Sequence, residues 1–270
     1  MNFVERSFGI DDIKRIAQEA GREIQAIYRG SDWNVTTKAD ESPLTRADLC
    51  ANETILAGLR KISTDIIISE EGDTAFANTG DTPNAAPHRF WLVDPLDGTR
   101  DFVAKLDTFV VCIALIENNE PVLGVIHSPV TDELWWAEKG KGAFGARGRL
   151  LNTREGSTDL MAVGSRSTTG SRMQAFYDQF QITSVERFGS ALKFCKLAEG
   201  AFDIYPRFGP MMEWDTAAGQ IIAEEAGCKV IDVSTGARLR YGKPGLANRG
   251  FICFRKNLGL DEKIAELVQK

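Results

Sequence analysis

The stretch Phe90-Trp91-Leu92-Val93-Asp94-Pro95-Leu96-Asp97-Gly98-Thr99 decides how the chain is read. Its first four residues form a short buried strand that ends at Asp94. Pro95 fixes its own φ and supplies no N–H, so the chain is expected to leave the sheet there in a defined turn, with Asp94 and Asp97 close together at the strand end. Two unneutralised carboxylates so near each other repel, and a hard divalent cation removes the conflict. Gly98 permits close backbone approach, and its N–H and that of Thr99 can face an anion. Taken alone, the stretch reads equally well as a Pro-Asp-Gly turn whose acids only cap and solvate.

Other acids weigh against that bland reading. Residues 65–69 read as a buried strand delivering Glu70 and Glu71, and neighbouring strand ends can bring Glu70 and Asp94 to one place. Far along the chain, Trp214-Asp215-Thr216-Ala217-Ala218-Gly219 begins a helix that ends at Gly227, with Asp215 as its N-cap. Capping uses one carboxylate oxygen and leaves the other for a metal. Four acids on separate elements can build two adjacent octahedral Mg²⁺ sites.

The surrounding chain reads as α+β followed by α/β. Ile10, Ile13, Ala17, Ala20, Ile24 and Ile27 fall at helical spacing, with Gly30 just past the end. A second helix is expected from Thr45 to about residue 60. Thr45-Arg46-Ala47-Asp48 opens it with capping-box spacing, Asp replacing the usual Glu or Gln. Polar loops are expected at residues 38–43 and 73–87. Runs at 109–116, 122–126 and 133–137, broken at Asn118-Asn119 and Ser128-Pro129, make an antiparallel meander. Near Asn152 the character changes to alternating strands and helices, so two lobes are expected, about 1–152 and 153–270, in one catalytic unit.

With 270 residues, 43% hydrophobic and 26% charged, the chain can bury a real core. No segment reaches the roughly 20 consecutive apolar residues of a membrane span. Its start lacks a signal peptide's basic and apolar pattern, so a soluble, cytoplasmic protein is expected. Five widely spaced cysteines in apolar surroundings read as buried thiols. A net charge of -6 argues against a nucleic-acid polymer as partner but not against a phosphorylated small molecule held through metal ions. Only His88 and His127 occur, neither within these motifs, which disfavours phosphohistidine or Ser-His chemistry. Residues 140–148, rich in glycine, read as a hairpin turn because the Gly-Lys-Ser/Thr ending of a P-loop is missing. Trp135-Trp136 reads as packing.

Glu70-Glu71, the segment Asp94-Pro-Leu-Asp-Gly-Thr-Arg-Asp-Phe, and Trp214-Asp215-Thr-Ala-Ala-Gly together resemble the three signatures of the inositol monophosphatase superfamily, in order and at suitable separations. The resemblance implies a layered αβαβα sugar-phosphatase fold and an Mg²⁺-dependent phosphomonoesterase using two or three ions. It implies metal ligation by Glu70, Asp94, the Leu96 carbonyl, Asp97 and Asp215, and phosphate contact by Gly98 and Thr99. It further implies that Thr99, oriented by Asp48, works with Glu70 to activate the attacking water.

Within the superfamily, residues 189–195 and Tyr205-Pro206-Arg207-Phe208-Gly209-Pro210 are similar to the 3′(2′),5′-bisphosphate nucleotidases of the CysQ type. That resemblance implies removal of the 3′-phosphate from adenosine 3′,5′-bisphosphate, a by-product of sulfate activation. Ser190 and Lys193 lie one helical turn apart and can face one ligand, with Ser190 opening the helix. Arg207 stands where inositol phosphatases place an acid for sugar hydroxyls, and a guanidinium there suits a second phosphate. Asp215 is also implied to line the substrate. Thr168 departs from the pattern, replacing the family's His after Ser165-Arg166-Ser167. The rival reading is an inositol- or sugar-phosphate phosphatase on the same scaffold, and a more distant one is a non-catalytic phosphometabolite sensor. Family resemblance also suggests inhibition by Li⁺.

Overall fold

The computed structural model describes residues 8–30, 33–38, 43–72, 87–152, 159–166 and 170–268. Most of the two polar loops expected at 38–43 and 73–87, the expected start of the second lobe at 153, and Thr168 lie outside them.

In chain order, α1 (Ile10–Arg29) leads through the short strands β1 (Thr36–Thr37) and β2 (Pro43–Leu44) to α2 (Arg46–Ile62). Strands β3 (Ile66–Ser69) and β4 (Arg89–Asp97) precede the short helix α3 (Thr99–Val103). The meander follows as β5 (Val110–Glu117), β6 (Glu120–Ser128), β7 (Glu133–Glu138), β8 (Gly142–Gly145) and β9 (Gly148–Leu150). The second half contains β10 (Met161–Ser165), α4 (Ser171–Gln179), β11 (Ser184–Phe188), α5 (Leu192–Ala198), β12 (Ile204–Arg207) and β13 (Met211–Met212). It closes with α6 (Ala217–Glu225), β14 (Cys228–Asp232), β15 (Ala247–Asn248), β16 (Phe251–Arg255) and α7 (Asp261–Val268).

The layers follow from side-chain alternation along the strands. In β4, Trp91 and Val93 face α1 and α2, joining Ile13, Ile24 and Ile55 in one apolar cluster. Phe90 and Leu92 point the other way, into a cluster with Phe194 of α5, Ile221 of α6 and Cys253 of β16. Beyond the second sheet, Phe176 of α4 and Ile264 of α7 pack on Ile204 and Phe254. The stack is therefore helices, a seven-stranded sheet, helices, a five-stranded sheet, helices: the expected αβαβα arrangement. The larger sheet runs β3-β4-β5-β6-β7-β8-β9, antiparallel except for the β3–β4 pair. The smaller runs β11-β10-β12-β16-β14 and is mixed.

Two local expectations need correction. The strand before Glu70 is not buried throughout: β3 is the sheet's edge, with Ile66 48% exposed and burial reached only at Ile68 and Ser69. Nor does the chain leave the sheet at Pro95. Strand β4 continues to Asp97, and its pairing with β5 passes from Asp94↔Cys112 to Asp97↔Val110, three residues against two. This is a β-bulge, a place where a residue without an N–H is tolerated. In a regular strand Asp94 and Asp97 would point to opposite faces; the extra residue brings both to the face that meets α5 and α6. Four cysteines are buried as expected, while Cys50 is half-buried; all five are free thiols.

Candidate active site

The parallel register Ser69↔Val93 carries Glu70 level with Asp94, and the Glu70 N–H donates to the Val93 carbonyl at 3.1 Å. Asp215 arrives from the middle helical layer, just ahead of α6. Carboxylate oxygens of Glu70, Asp94 and Asp215 lie within 4.8 Å of one another. Asp94 is 1% exposed. Burial pushes its carboxyl well above the usual range, and the negative charges of Glu70, Asp97 and Asp215 push the same way. Asp215 is raised by burial, then by Asp97 and Glu70, against a hydrogen bond from the Met212 N–H. Asp97 is pushed up to about 6 by burial, with the Lys193 ammonium and the Ala191 N–H opposing. Such a group of acids could hold a metal ion, and an all-oxygen donor set of carboxylates suits a hard divalent one. Asp97 lines the same pockets but is not in the three-acid group; its Oδ2 accepts the Ala191 N–H at 2.5 Å.

Thr45 caps α2 in a complete capping box, and Asp48 does two tasks. Its Oδ2 accepts the Thr45 N–H at 2.8 Å and the Thr45 hydroxyl at 2.6 Å. Its Oδ1 accepts the Thr99 hydroxyl at 3.0 Å. The Leu96 carbonyl is a second acceptor for Thr99, at 3.2 Å. Burial raises the Asp48 carboxyl, and the Thr45 and Thr99 hydrogen bonds hold it back. Gly98, at φ 101°, caps α3 in a conformation that disfavours any side chain.

Asp215 does not cap α6. Thr216 occupies that position, and the Asp215 carboxylate instead accepts the Met212 N–H at 3.0 Å. Ser190 precedes the cap residue Ala191 of α5. Its hydroxyl donates to the Thr108 carbonyl at 2.5 Å and accepts from the Leu192 N–H at 3.3 Å. Lys193 is no surface lysine: it is 4% exposed, and its ammonium donates to the carbonyls of Phe188 at 3.3 Å and Ser190 at 2.5 Å. Burial lowers it to about 8, against the attraction of Asp97. Lys193 and Arg207 line one cavity together, next to the metal-side cavity of Glu70, Asp94 and Thr99.

Sequence reasoning missed several residues in and around the pocket. Lys38 donates to Glu70 Oε1 at 2.6 Å and also to Glu71, so an ammonium occupies the margin of the acidic group. Burial alone would lower its pKa, yet the two glutamates raise it. A single lysine in a polar loop carries no positional signal that could have exposed this. Pro210, Met211, Met212 and Ala247 form an apolar wall beside Arg207. For Pro210, Met211 and Met212 the place between Arg207 and Asp215 was the available clue; Ala247 offered none and arrives by pairing of β15 with β13. Glycine-rich residues 140–148 make hairpin turns as expected, and the anion their N–H groups hold is the chain's own Glu225, at 2.8 and 2.9 Å. Trp135 is buried and donates to Glu199, while Trp136 stacks on Phe144, so both pack.

Comparisons with known proteins bear on the family and the fold. The 3′(2′),5′-bisphosphate nucleotidase CysQ of Salmonella typhimurium is 39% identical over 250 residues, 90% of this chain and 98% of its own length. The enzyme of that name from Escherichia coli K12 is 37% identical over 227 residues, covering 83% and 90%. Among solved structures, CysQ from Bacteroides thetaiotaomicron superposes with a TM-score of 0.78 at 35% identity, covering 94% of this chain and 99% of that one. An inositol monophosphatase from Thermotoga maritima gives 0.75 at 26% identity over 96% of each chain. Residues 10–270 match the model of the inositol monophosphatase family, and the layered fold with its acidic group at the β4 bulge agrees: the chain belongs to that family.

Proposed function

We propose that the protein is an Mg²⁺-dependent 3′(2′),5′-bisphosphate nucleotidase that hydrolyses adenosine 3′,5′-bisphosphate to adenosine 5′-monophosphate and phosphate. The single observation that carries the reading is the cavity lined by Lys193 and Arg207, beside the acidic group. An inositol phosphate or simple sugar phosphate presents one phosphate and hydroxyls; two cations and an apolar wall suit a second phosphate and a base. The names of the similar curated proteins support it.

Glu70, Asp94, the Leu96 carbonyl, Asp97 and Asp215 would hold the ions. Bound cations supply neutralisation of the phosphate oxygens and of the departing alkoxide. Thr99 donates its hydroxyl proton to Asp48, which leaves its lone pairs to accept from, and so orient, a water in the pocket. Glu70 is the carboxylate that takes that water's proton. The N–H groups of Gly98 and Thr99 contact the scissile phosphate. Lys193 and Arg207 hold the second phosphate, and Met211 and Met212 pack against the base. Ser190 shapes the cavity, its hydroxyl being committed to Thr108.

The enzyme works as a single unit of two lobes, about 1–152 and 153–270, in the cytoplasm. Five free thiols fit that reducing compartment, and no described helix is long and apolar enough to cross a membrane. Phosphate release from adenosine 3′,5′-bisphosphate, inositol 1-phosphate and fructose 1,6-bisphosphate, with and without Mg²⁺, tests the reading. Preference for the nucleotide is expected; preference for inositol phosphate would sink it. Inhibition by Li⁺ is expected in the same assay.

A further inference from the structure

Arg100 stands at the seam of the site. Its residue lines both the metal-side cavity and the cavity of Lys193 and Arg207. It is exposed, and among the described residues no hydrogen bond or ion pair engages its guanidinium. Neighbouring cations are committed. Arg166 donates to Asp101 at 2.5 Å and Thr108 at 3.0 Å. Lys38 is held by Glu70 and Glu71. Lys193 spends two of its three N–H bonds on carbonyls, leaving one for a ligand.

Apart from Arg100, the cationic donors among the described residues lining the second cavity are one Lys193 N–H and the Arg207 guanidinium, set beside the carboxylates of Asp97 and Asp215, so a phosphate monoester dianion there gains from a further cation. The scissile phosphate has the opposite supply: ions held by four carboxylates neutralise it, and a guanidinium approaching that side would be repelled by those ions. An uncommitted arginine at the seam finds its complement in the phosphate that no metal serves.

We propose that Arg100 binds the non-scissile phosphate of the substrate from the N-terminal lobe, facing Arg207 and Lys193 of the C-terminal lobe. The bound nucleotide then bridges the lobes, and Arg100 is a specificity-determining residue for bisphosphates over monophosphates. This rests on the nucleotidase reading above.

The test compares wild type, Arg100→Gln and Arg100→Lys on adenosine 3′,5′-bisphosphate and adenosine 3′-monophosphate, with calorimetric binding of adenosine 5′-monophosphate, which carries only the second phosphate. For Arg100→Gln the kcat/KM ratio between the two substrates should fall about tenfold, mainly through KM for the bisphosphate, and the Kd of adenosine 5′-monophosphate should rise about tenfold. Arg100→Lys should recover part of both. Equal losses on both substrates, or an unchanged ratio and an unchanged Kd, would overturn the assignment. A wild type that does not prefer the bisphosphate would instead remove the nucleotidase reading itself, a result visible before any variant is made.

Discussion

A methyl group on Gly189 would sit 1.6 Å from Oδ2 of Asp101. Asp101 belongs to α3, directly after the β4 bulge, and Gly189 to the loop that leads into α5, so this contact joins the two elements at the rim of the pocket that holds Glu70, Asp94 and Asp215. The carboxylate cannot simply swing away, because Oδ2 also accepts from Thr108 at 2.5 Å and from Arg166 at 2.5 Å. Gly189→Ala must therefore spread the seam or break that junction. We expect a loss of about 1–3 kcal/mol of stability, typical of overpacking, together with a fall in kcat/KM for the nucleotide. Thermal unfolding and steady-state kinetics would check both; an unaltered variant would show that the rim yields freely.

Asp48 offers a way to separate local folding from chemistry. Asp48→Ala removes the N3 partner of the capping box and the acceptor that turns Thr99 toward the pocket. Loss of a cap costs about 1 kcal/mol. Loss of a positioned proton acceptor should lower kcat by about a hundredfold or more. Thr45→Ala breaks the cap while leaving the Asp48–Thr99 bond available, so it should match the stability loss with a much smaller effect on kcat. If the two variants lose activity equally, Asp48 acts only by holding the helix.

If the acidic group holds metal as proposed, it does so at a cost to the metal-free fold. Without metal, Asp94 lies buried among three other carboxylates, and relieving its charge should help the fold. Asp94→Asn keeps an oxygen for the Leu96 N–H, which Asp94 Oδ1 accepts at 3.0 Å. Its metal-free melting temperature should exceed that of metal-free wild type, while turnover is abolished. Wild type should gain about 2.7 kcal/mol when Mg²⁺ is present at a hundred times its Kd, and the variant far less. A metal-free variant less stable than wild type would contradict the electrostatic account.

Much of this site was legible because its residues act through local chain chemistry. Thr45 and Asp48 announce a helix start, and Glu70 follows an apolar run whose parallel partner β4 carries Asp94 one residue past the last paired position. The sharing of one carboxylate between a helix cap and the site was expected at Asp215; it occurs at Asp48, while Thr216 stands at the N-cap position of α6 and Asp215 accepts the Met212 N–H. The bulge at Pro95 escaped the sequence because it depends on register against β5, a relation between distant segments. The one-turn spacing from Ser190 pointed Lys193 toward a ligand, but its burial comes from the packing of α5 between two sheets, which spacing along one helix does not reveal. Lys38 and Arg100 owe their positions to tertiary approach alone.

His127 sets an acid limit that is independent of the site. It lies one residue before the end of β6 and packs so closely on α1 that a methyl at Gly21 would meet its ring at 2.3 Å. Its Nε2 lies 3.0 Å from Asp132, whose side chain is 77% exposed and therefore screened, while Arg22 opposes added positive charge. Burial, the largest influence, lowers the His127 pKa below its ordinary value near 6.5. Below about pH 6.5 the unfolded chain thus binds a proton that the folded chain resists, so stability is full above that pH and declines as pH falls toward the folded-state pKa. His127→Gln retains a side chain able to bond Asp132 but cannot titrate. Urea unfolding of the two proteins between about pH 7.5 and 5 should show the wild type losing more stability than the variant, with the difference opening only below about 6.5. Parallel curves would mean that the imidazole is protonated in the fold without cost.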